Sequence, residues 1–317
     1  MRYLVTGGAG FIGSNIVTTL LERGHQVRVL DNFTTGQSSN IAAIMSDIDV
    51  IDGDIRDFWT CLDAAEGCDY VLHQAALPSV PRSVANPQTT NAINIGGILN
   101  MLEAARRREV KRFVFASSSS VYGDTPVLPK VETMPPNPQS PYATTKLTGE
   151  YYCRNYYDLY GLPTVCLRYF NIFGPRQDPN SDYAAVVPKF ITALLTGNRP
   201  TVFGDGEQSR DFTYIDNAVQ ANLRACESDS APGGVFNVAC GDRFTLNQLI
   251  QVLREIIGAT AEPVYAASRP GDIKHSLADI RAARTGLGYV PRIDFREGLA
   301  KTVEWFRRSE NRVGISV

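Results

Sequence analysis

The sequence predicts an α/β protein in which a doubly wound parallel sheet, residues 1–168, is followed by a smaller α/β lobe, residues 169–317, some of whose segments return to the first. Three observations point there. Short apolar runs alternate with amphipathic stretches through the first half of the chain, the pattern of successive βαβ units. A glycine-rich turn directly follows the first apolar run. After Arg168 the alternation stops and Gly174, Pro175, Pro179, Gly197, Pro200, Gly204 and Gly206 crowd in.

Taken in order, strands are expected over 3–6, 26–30, 49–51, 70–73, 112–116 and 164–168, and helices over 11–22, 58–65, 89–107 and 142–160. The first strand runs into Gly7-Gly8-Ala9-Gly10-Phe11-Ile12-Gly13. In such a turn Gly7 lets the chain bend, Gly10 lets backbone approach a pyrophosphate, and Gly13 lets helix and strand pack closely. The amides at the helix start, near Phe11 and Ile12, then face the phosphates. A structural glycine turn reads the same in isolation. The second strand, however, ends in Leu30-Asp31-Asn32, where a carboxylate accepts hydrogen bonds from an adenosine ribose and repels a 2′-phosphate, favouring NAD over NADP. Gly53-Asp54-Ile55 after the third strand fits either an adenine contact or an ordinary turn.

The fourth strand opens into His73-Gln74-Ala75-Ala76-Leu77, whose small residues leave room for a dinucleotide across the strand ends. His73 reads as a packed strand-end residue rather than a base. The fifth ends in Ser117-Ser118-Ser119-Ser120-Val121-Tyr122-Gly123. Carboxyl ends of strands line the ligand crevice of such a sheet, so these hydroxyls fit a substrate contact; they also fit a turn bonded to its own backbone. A helix beginning near Pro141 stacks Tyr142 and Lys146, four residues apart, on one face. A neighbouring ammonium is expected to lower the phenol from about 10, suiting Tyr142 to exchange a proton with a hydroxyl. Alone, that spacing is weak.

Composition narrows the partners. With 317 residues, 44% of them hydrophobic, the chain is long enough for a full core. Thirty-one Lys and Arg against 33 Asp and Glu leave no field suited to nucleic acid or a membrane surface. No stretch approaches 18 uninterrupted apolar residues and no charged leader precedes the first strand, so a cytoplasmic location is expected. The six cysteines, Cys61, Cys68, Cys153, Cys166, Cys226 and Cys240, show no C-x-x-C spacing; they are expected as buried thiols, without a metal site or a disulfide scaffold.

Taken together, the glycine turn, Leu30-Asp31-Asn32, Gly53-Asp54-Ile55, the serine block and Tyr142 to Lys146 resemble the extended short-chain dehydrogenase/reductase superfamily, within it the NAD-dependent nucleotide-sugar 4-epimerases. Leu167-Arg168-Tyr169-Phe170-Asn171-Ile172-Phe173-Gly174 and Arg210-Asp211-Phe212-Thr213-Tyr214-Ile215-Asp216 extend the resemblance over nearly the whole chain. Ser79-Val80-Pro81-Arg82-Ser83, Arg176-Gln177-Asp178-Pro179-Asn180 and Gly271-Asp272-Ile273-Lys274-His275-Ser276 are similar to bacterial UDP-N-acetylglucosamine 4-epimerases.

The resemblance implies a Rossmann-like fold and bound NAD. Tyr142, Lys146 and Ser118 take the catalytic positions. Gly7, Gly10, Phe11, Ile12, Gly13, Asp31, Asn32, Thr35, Gly36, Asp54, Ile55, Gln74, Ala75, Ala76, Asn94 and Tyr169 join Tyr142 and Lys146 on the cofactor side. Asn94 supports Lys146 and Tyr169 lies against the nicotinamide. On the side of a UDP-sugar substrate stand Ser79, Ser119, Ser120, Asn171, Val186, Phe203, Arg210, Arg269, Asp272 and Ser276, with Ser118 and Tyr142. The two arginines suit a diphosphate. At the position of Ser276 a bulky aromatic restricts the family's pocket to glucose and galactose, so serine implies room for a 2-acetamido group; Pro78 departs from the lysine often found in the stricter branch.

The expected reaction is UDP-N-acetylglucosamine/UDP-N-acetylgalactosamine interconversion through a 4-keto sugar, with some action on UDP-glucose/UDP-galactose. Related 4,6-dehydratases and UDP-glucuronate decarboxylases carry an acid before the Tyr-Gly of the serine block, where this chain has Ser119-Ser120-Val121. A UDP-glucuronate 4-epimerase stays open as an alternative. So does, in another class, a non-catalytic NAD-sensing regulator. By resemblance the helices over 89–107 and 142–160 also pair with their copies in a homodimer.

Overall fold

The computed structural model describes residues 1–179, 185–268 and 274–312. Its centre is a sheet of seven strands: β1 (Arg2–Thr6), β2 (Gln26–Asp31), β3 (Asp49–Asp52), β4 (Tyr70–His73), β5 (Arg112–Ser118), β6 (Thr164–Tyr169) and β7 (Val235–Val238). Spatially they run β7-β6-β5-β4-β1-β2-β3, every neighbour parallel. The chain leaves β1 outward to β2 and β3, then returns to β4 on β1's other side. That reversal opens a crevice at the carboxyl ends of β1 and β4.

Period-two alternation sends side chains to two helical layers. Leu4, Leu30, Val71, Phe113, Phe115 and Cys166 are buried against α2 (Phe58–Ala64), α3 (Gly97–Arg107) and α4 (Pro141–Tyr160). Tyr3, Val5, Val29, Leu72, Val114, Val165 and Leu167 are buried against α1 (Phe11–Glu22) and α5 (Ile215–Glu227). Burial on both faces is why the strands read as near-continuous apolar runs. The second core continues into the smaller lobe, where helices Val186–Leu195, Leu246–Ile257 and Phe295–Arg312 cover short strand pairs such as Ser209–Arg210 with Phe244–Thr245.

Every strand and helix expected in the first 168 residues is present, within two residues at each end except in the third helix. The helix expected over 89–107 is instead three pieces: Pro87–Asn91, a π turn at Ala92–Gly96, and α3. Gly96-Gly97 supports helix weakly, and Gly97 packs where a Cβ would meet Ile55 Cδ1 at 2.3 Å. The short helix Val80–Ala85 and the return of Val235–Val238 as an edge strand were not specified by the periodicity. All six cysteines are free, five buried and Cys240 partly so. Among the described residues no group of three or more metal-ligating side chains occurs, and no helix is long and apolar enough to cross a membrane.

Candidate active site

The crevice is a cleft of about 830 Å³. Its floor is the glycine turn. Gly7 holds φ +68°, and a Cβ there would meet the Ala75 nitrogen at 2.8 Å; a Cβ on Gly13 would lie 2.1 Å from the Gly7 oxygen. Only glycine permits this contact of strand, turn and helix. α1 begins at Gly10 with no side-chain cap and no acid in its first turn, so its amides and dipole face the cleft uncompensated, as a diphosphate requires. The cradle therefore fits a dinucleotide.

Asp31 is 8% exposed and ends β2. Its carboxylate accepts from the Ala9 and Phe33 N–H groups, both at 2.9 Å. Burial is the larger influence and makes its carboxyl a weaker acid than usual, raising its pKa, those N–H bonds opposing it. Asn32 donates to Asp54 at 2.9 Å, and Asp54 is paired with Arg56 at 2.6 Å. The Arg56 bond is the main reason the Asp54 carboxyl falls to about 2. Both residues line the cleft with Thr35, Gly36 and Ile55, as do Gln74, Ala75, Ala76 and Ser79 opposite. Five non-glycine residues among those described hold positive φ, and Phe33, Ser79 and Arg176 of these line the cleft. Such strain collects at functional sites.

Tyr142 and Lys146 enter from α4. Ser140 caps that helix by accepting from the Ala143 N–H at 3.1 Å, Pro141 takes its first turn, and Gly161 closes it in a left-handed conformation. The Tyr142 N–H, an otherwise orphaned donor, reaches Ser83 Oγ at 3.0 Å. Lys146 donates to the Ala116 carbonyl at 2.7 Å and lies 5.8 Å from the centre of the Tyr142 ring. Here the expectation needs correction. Burial raises the Tyr142 phenol, and the group drawing it down is the Ser118 side chain, by a hydrogen bond; Lys146 is itself lowered to about 8 by burial. Removal of water outweighs what Ser118 contributes.

The serine block divides by strand alternation. Ser117, at the cleft lining, bonds the buried Glu150, while Ser118 accepts from the Ser120 N–H at 3.1 Å. Ser119 and Ser120 form the 3₁₀ turn Ser119–Tyr122, which Ser118 bonds through its side chain, so the block is a turn bonded to its own backbone. The Ser120 hydroxyl is buried without a partner among the described residues. His73 is packed, its ring bonded to Thr6 Oγ1 at 2.8 Å and its imidazole driven down to about 3 by burial.

Asn94, 5% exposed, stands behind the cleft wall rather than in it. The π turn aims it inward. It bonds both backbone groups of Leu77, at 2.7 and 3.2 Å, and Thr145 Oγ1 at 3.0 Å, beside Lys146. Tyr169 lines the cleft, its hydroxyl held by Gln74 and Asn222 at 3.2 and 3.1 Å, and burial raises that phenol to about 12.

The substrate-side residues Asn171, Val186, Phe203, Arg210 and Ser276 lie in the second lobe, outside this cleft. Asn171 donates to Ser276 Oγ at 3.3 Å and to the Asp211 carbonyl at 3.2 Å. Ser276 is 9% exposed, its N–H bonded to the Ser209 carbonyl at 3.0 Å. Arg210 follows Ser209, Phe203 ends the strand Thr201–Phe203, and Val186 begins the helix Val186–Leu195. Arg269 and Asp272 fall outside the described residues. Sequence reasoning assigned no role to Arg176, which lines the cleft and donates to the Ser14 carbonyl at 2.8 Å, nor to Asn222 and Ser83. The latter two act through residues distant in sequence, and nothing local marks them.

A parallel sheet with a glycine cradle at its switch point, an acid at the end of β2 and a tyrosine above a lysine define a dinucleotide-dependent enzyme of the short-chain dehydrogenase/reductase class. Residues 3–239 match the model of the NAD dependent epimerase/dehydratase family, and the chain belongs to it, with NAD as cofactor. It is 41% identical over 316 residues to a UDP-glucose 4-epimerase of Mycolicibacterium smegmatis, covering 97% of this chain and 99% of that one. Among solved structures it resembles a UDP-N-acetylglucosamine 4-epimerase from Methanobrevibacter ruminantium in complex with UDP-N-acetylmuramic acid, at 43% identity and a TM-score of 0.93, covering 97% and 98% of the two chains. A Thermus thermophilus UDP-glucose 4-epimerase in complex with NAD superposes at TM-score 0.88 and 38% identity, covering 97% and 99%.

Proposed function

We propose that the chain is a UDP-sugar 4-epimerase that interconverts UDP-N-acetylglucosamine and UDP-N-acetylgalactosamine and also turns over UDP-glucose and UDP-galactose. The observation that carries the reaction class is Tyr142 in the wall of a dinucleotide cleft, with the Lys146 ammonium 5.8 Å from its ring centre on the same face of α4. What supports the acetylated pair is Ser276, small and bonded to Asn171, in the lobe that faces the sugar.

Bound NAD supplies a hydride acceptor that gives the hydride back. The chain does the rest. The Gly7-to-Gly13 turn and the start of α1 hold the pyrophosphate, Asp31 takes the adenosine ribose, and Lys146 the nicotinamide ribose. Tyr142 removes the proton of the C4 hydroxyl, for which the positive charges of bound NAD and Lys146 would have to offset the rise that burial imposes on its phenol, while Ser118 holds O4. The resulting 4-keto sugar turns over in the pocket, presenting the other face of C4 for return of the hydride, and Tyr142 returns the proton to O4. Ser119 and Ser120 bear on the sugar. Asn171, Val186, Phe203, Arg210, Arg269 and Asp272 keep the UDP anchored, so that only the sugar is free to rotate. The exposed Tyr151, Leu159 and Tyr160 of α4 support a homodimer built on that helix.

The test is turnover of all four UDP-sugars, and of UDP-glucuronate, by protein supplied with NAD. Equilibration of the acetylated pair is expected. Activity confined to UDP-glucose and UDP-galactose overturns the substrate, and activity confined to UDP-glucuronate establishes the alternative.

A further inference from the structure

Behind the site runs a buried polar chain that the reaction as derived does not use. Glu150 lies four residues beyond Lys146 on the same face of α4 and is 4% exposed. Arg168 of β6 grips it through both oxygens, Nε to Oε1 at 2.9 Å and Nη2 to Oε2 at 2.7 Å. Ser117 donates to the same carboxylate. The Arg168 guanidinium lies over the Tyr122 ring, 4.7 Å from its centre. The Tyr122 hydroxyl donates to Asn237 Oδ1 at 2.7 Å, and Asn237 Nδ2 donates to the carbonyls of Lys130 and Asp279 at 2.9 and 3.1 Å. Those two residues bracket the bridge between Lys130 and Ala278, two residues past Ser276.

Burying a charged pair rarely gains stability over an apolar replacement. A chain of this kind instead fixes geometry. Its members come from five separate places: the helix that carries Tyr142, the strand end that carries Ser118, β6, the 3₁₀ turn of Ser119 and Ser120, and β7, whose Asn237 reaches the segment after Ser276. Each joint is a directional bond or a stacked ring, so slippage of one element breaks a bond in dry surroundings, where an unpaired group costs most.

We propose that Glu150, Arg168, Tyr122 and Asn237 are positioning residues that hold the serine turn against Tyr142 and register it with the segment after Ser276. They touch neither substrate nor cofactor. Their effect reaches the chemistry through Ser118, which adjoins Ser117 on β5, accepts from the Ser120 N–H at 3.1 Å and opposes the rise of the Tyr142 phenol. In its catalytic consequence the proposal rests on the epimerase reading; its geometry does not.

The test follows the Tyr142 phenol directly, by NMR titration of protein labelled at the tyrosine ring carbons, with Tyr142→Phe assigning the signal. Tyr122→Phe removes one hydroxyl and keeps the ring under Arg168. In that variant Tyr142 is expected to titrate at higher pH, with kcat down roughly tenfold and KM within about twofold. Glu150→Gln breaks the relay at its other end, keeps the shape, and is expected to move the same titration if Tyr122→Phe does not fold. An unchanged Tyr142 titration in a folded variant overturns the relay. Failure of the epimerase reading looks different: the unaltered protein leaves every UDP-sugar unchanged while the titration still responds.

Discussion

Lys146 donates to the Ala116 carbonyl at 2.7 Å with its nitrogen 5.8 Å from the centre of the Tyr142 ring, and burial lowers it to about 8. Its ammonium is therefore present below about pH 8 and is lost above, far earlier than for an exposed lysine. The kcat/KM profile is expected to fall on the alkaline side with a midpoint near that pH. Lys146→Arg should lower activity throughout, because a guanidinium does not fit the site of an ammonium, but should abolish the falling limb, since arginine does not titrate there. A limb that survives in the variant belongs to another group.

Gly13 tests the cofactor cradle. A Cβ at that position meets the Gly7 oxygen at 2.1 Å, and backbone on both sides leaves nowhere to yield. Gly13→Ala should push α1 off the turn and weaken NAD binding by at least about tenfold, the equivalent of 1.4 kcal/mol. Calorimetric titration of NAD into the cofactor-free protein measures it. Retained affinity would mean that the pyrophosphate is held elsewhere.

Ser276 tests the sugar pocket. It is nearly buried and bonded to Asn171, so a large ring at 276 both fills space and removes a partner of Asn171. Ser276→Tyr should cost roughly 100-fold or more in kcat/KM on the acetylated sugars, and less than about tenfold on UDP-glucose and UDP-galactose. Equal losses on both pairs, measured side by side, would show that the residue serves the nucleotide and not the sugar.

The first half of this fold was legible because its signals are local: short apolar runs alternating with amphipathic stretches, and a glycine turn after the first. The sheet's seventh strand was not, since Val235–Val238 joins β6 across some 65 residues that include the helices Val186–Leu195 and Ile215–Glu227, with nothing in its own four residues to say so. Within the site, Tyr142, Lys146 and Asp31 announced themselves by spacing. Ser83, Asn222 and the Glu150–Arg168 pair did not, because each acts through a partner far along the chain. The sign of the effect on Tyr142 was also missed. Spacing reveals which groups are near, whereas the water taken from around a phenol depends on the whole cleft wall.

Asp211 carries the last expectation, in stability. It is fully buried, accepts from the N–H groups of Cys240, Gly241 and Ala278 at 2.9, 3.1 and 3.2 Å, and burial nonetheless raises its carboxyl from 3.8 to about 7. Between those two values the folded chain holds a proton that the unfolded chain has released. Stability from this group therefore falls as pH climbs from about 4 to about 7 and levels off above, at a slope of up to 1.36 kcal/mol per pH unit. Asparagine binds no proton and has no such slope. Asp211→Asn should be the less stable protein at pH 5, where the acid keeps its proton and its bonds, and should gain on the original by about 2 kcal/mol between pH 5 and pH 8. Urea unfolding of both proteins at the two pH values decides it: a gap that stays constant would place the Asp211 carboxyl in the ordinary range, with its three N–H partners outweighing the loss of water.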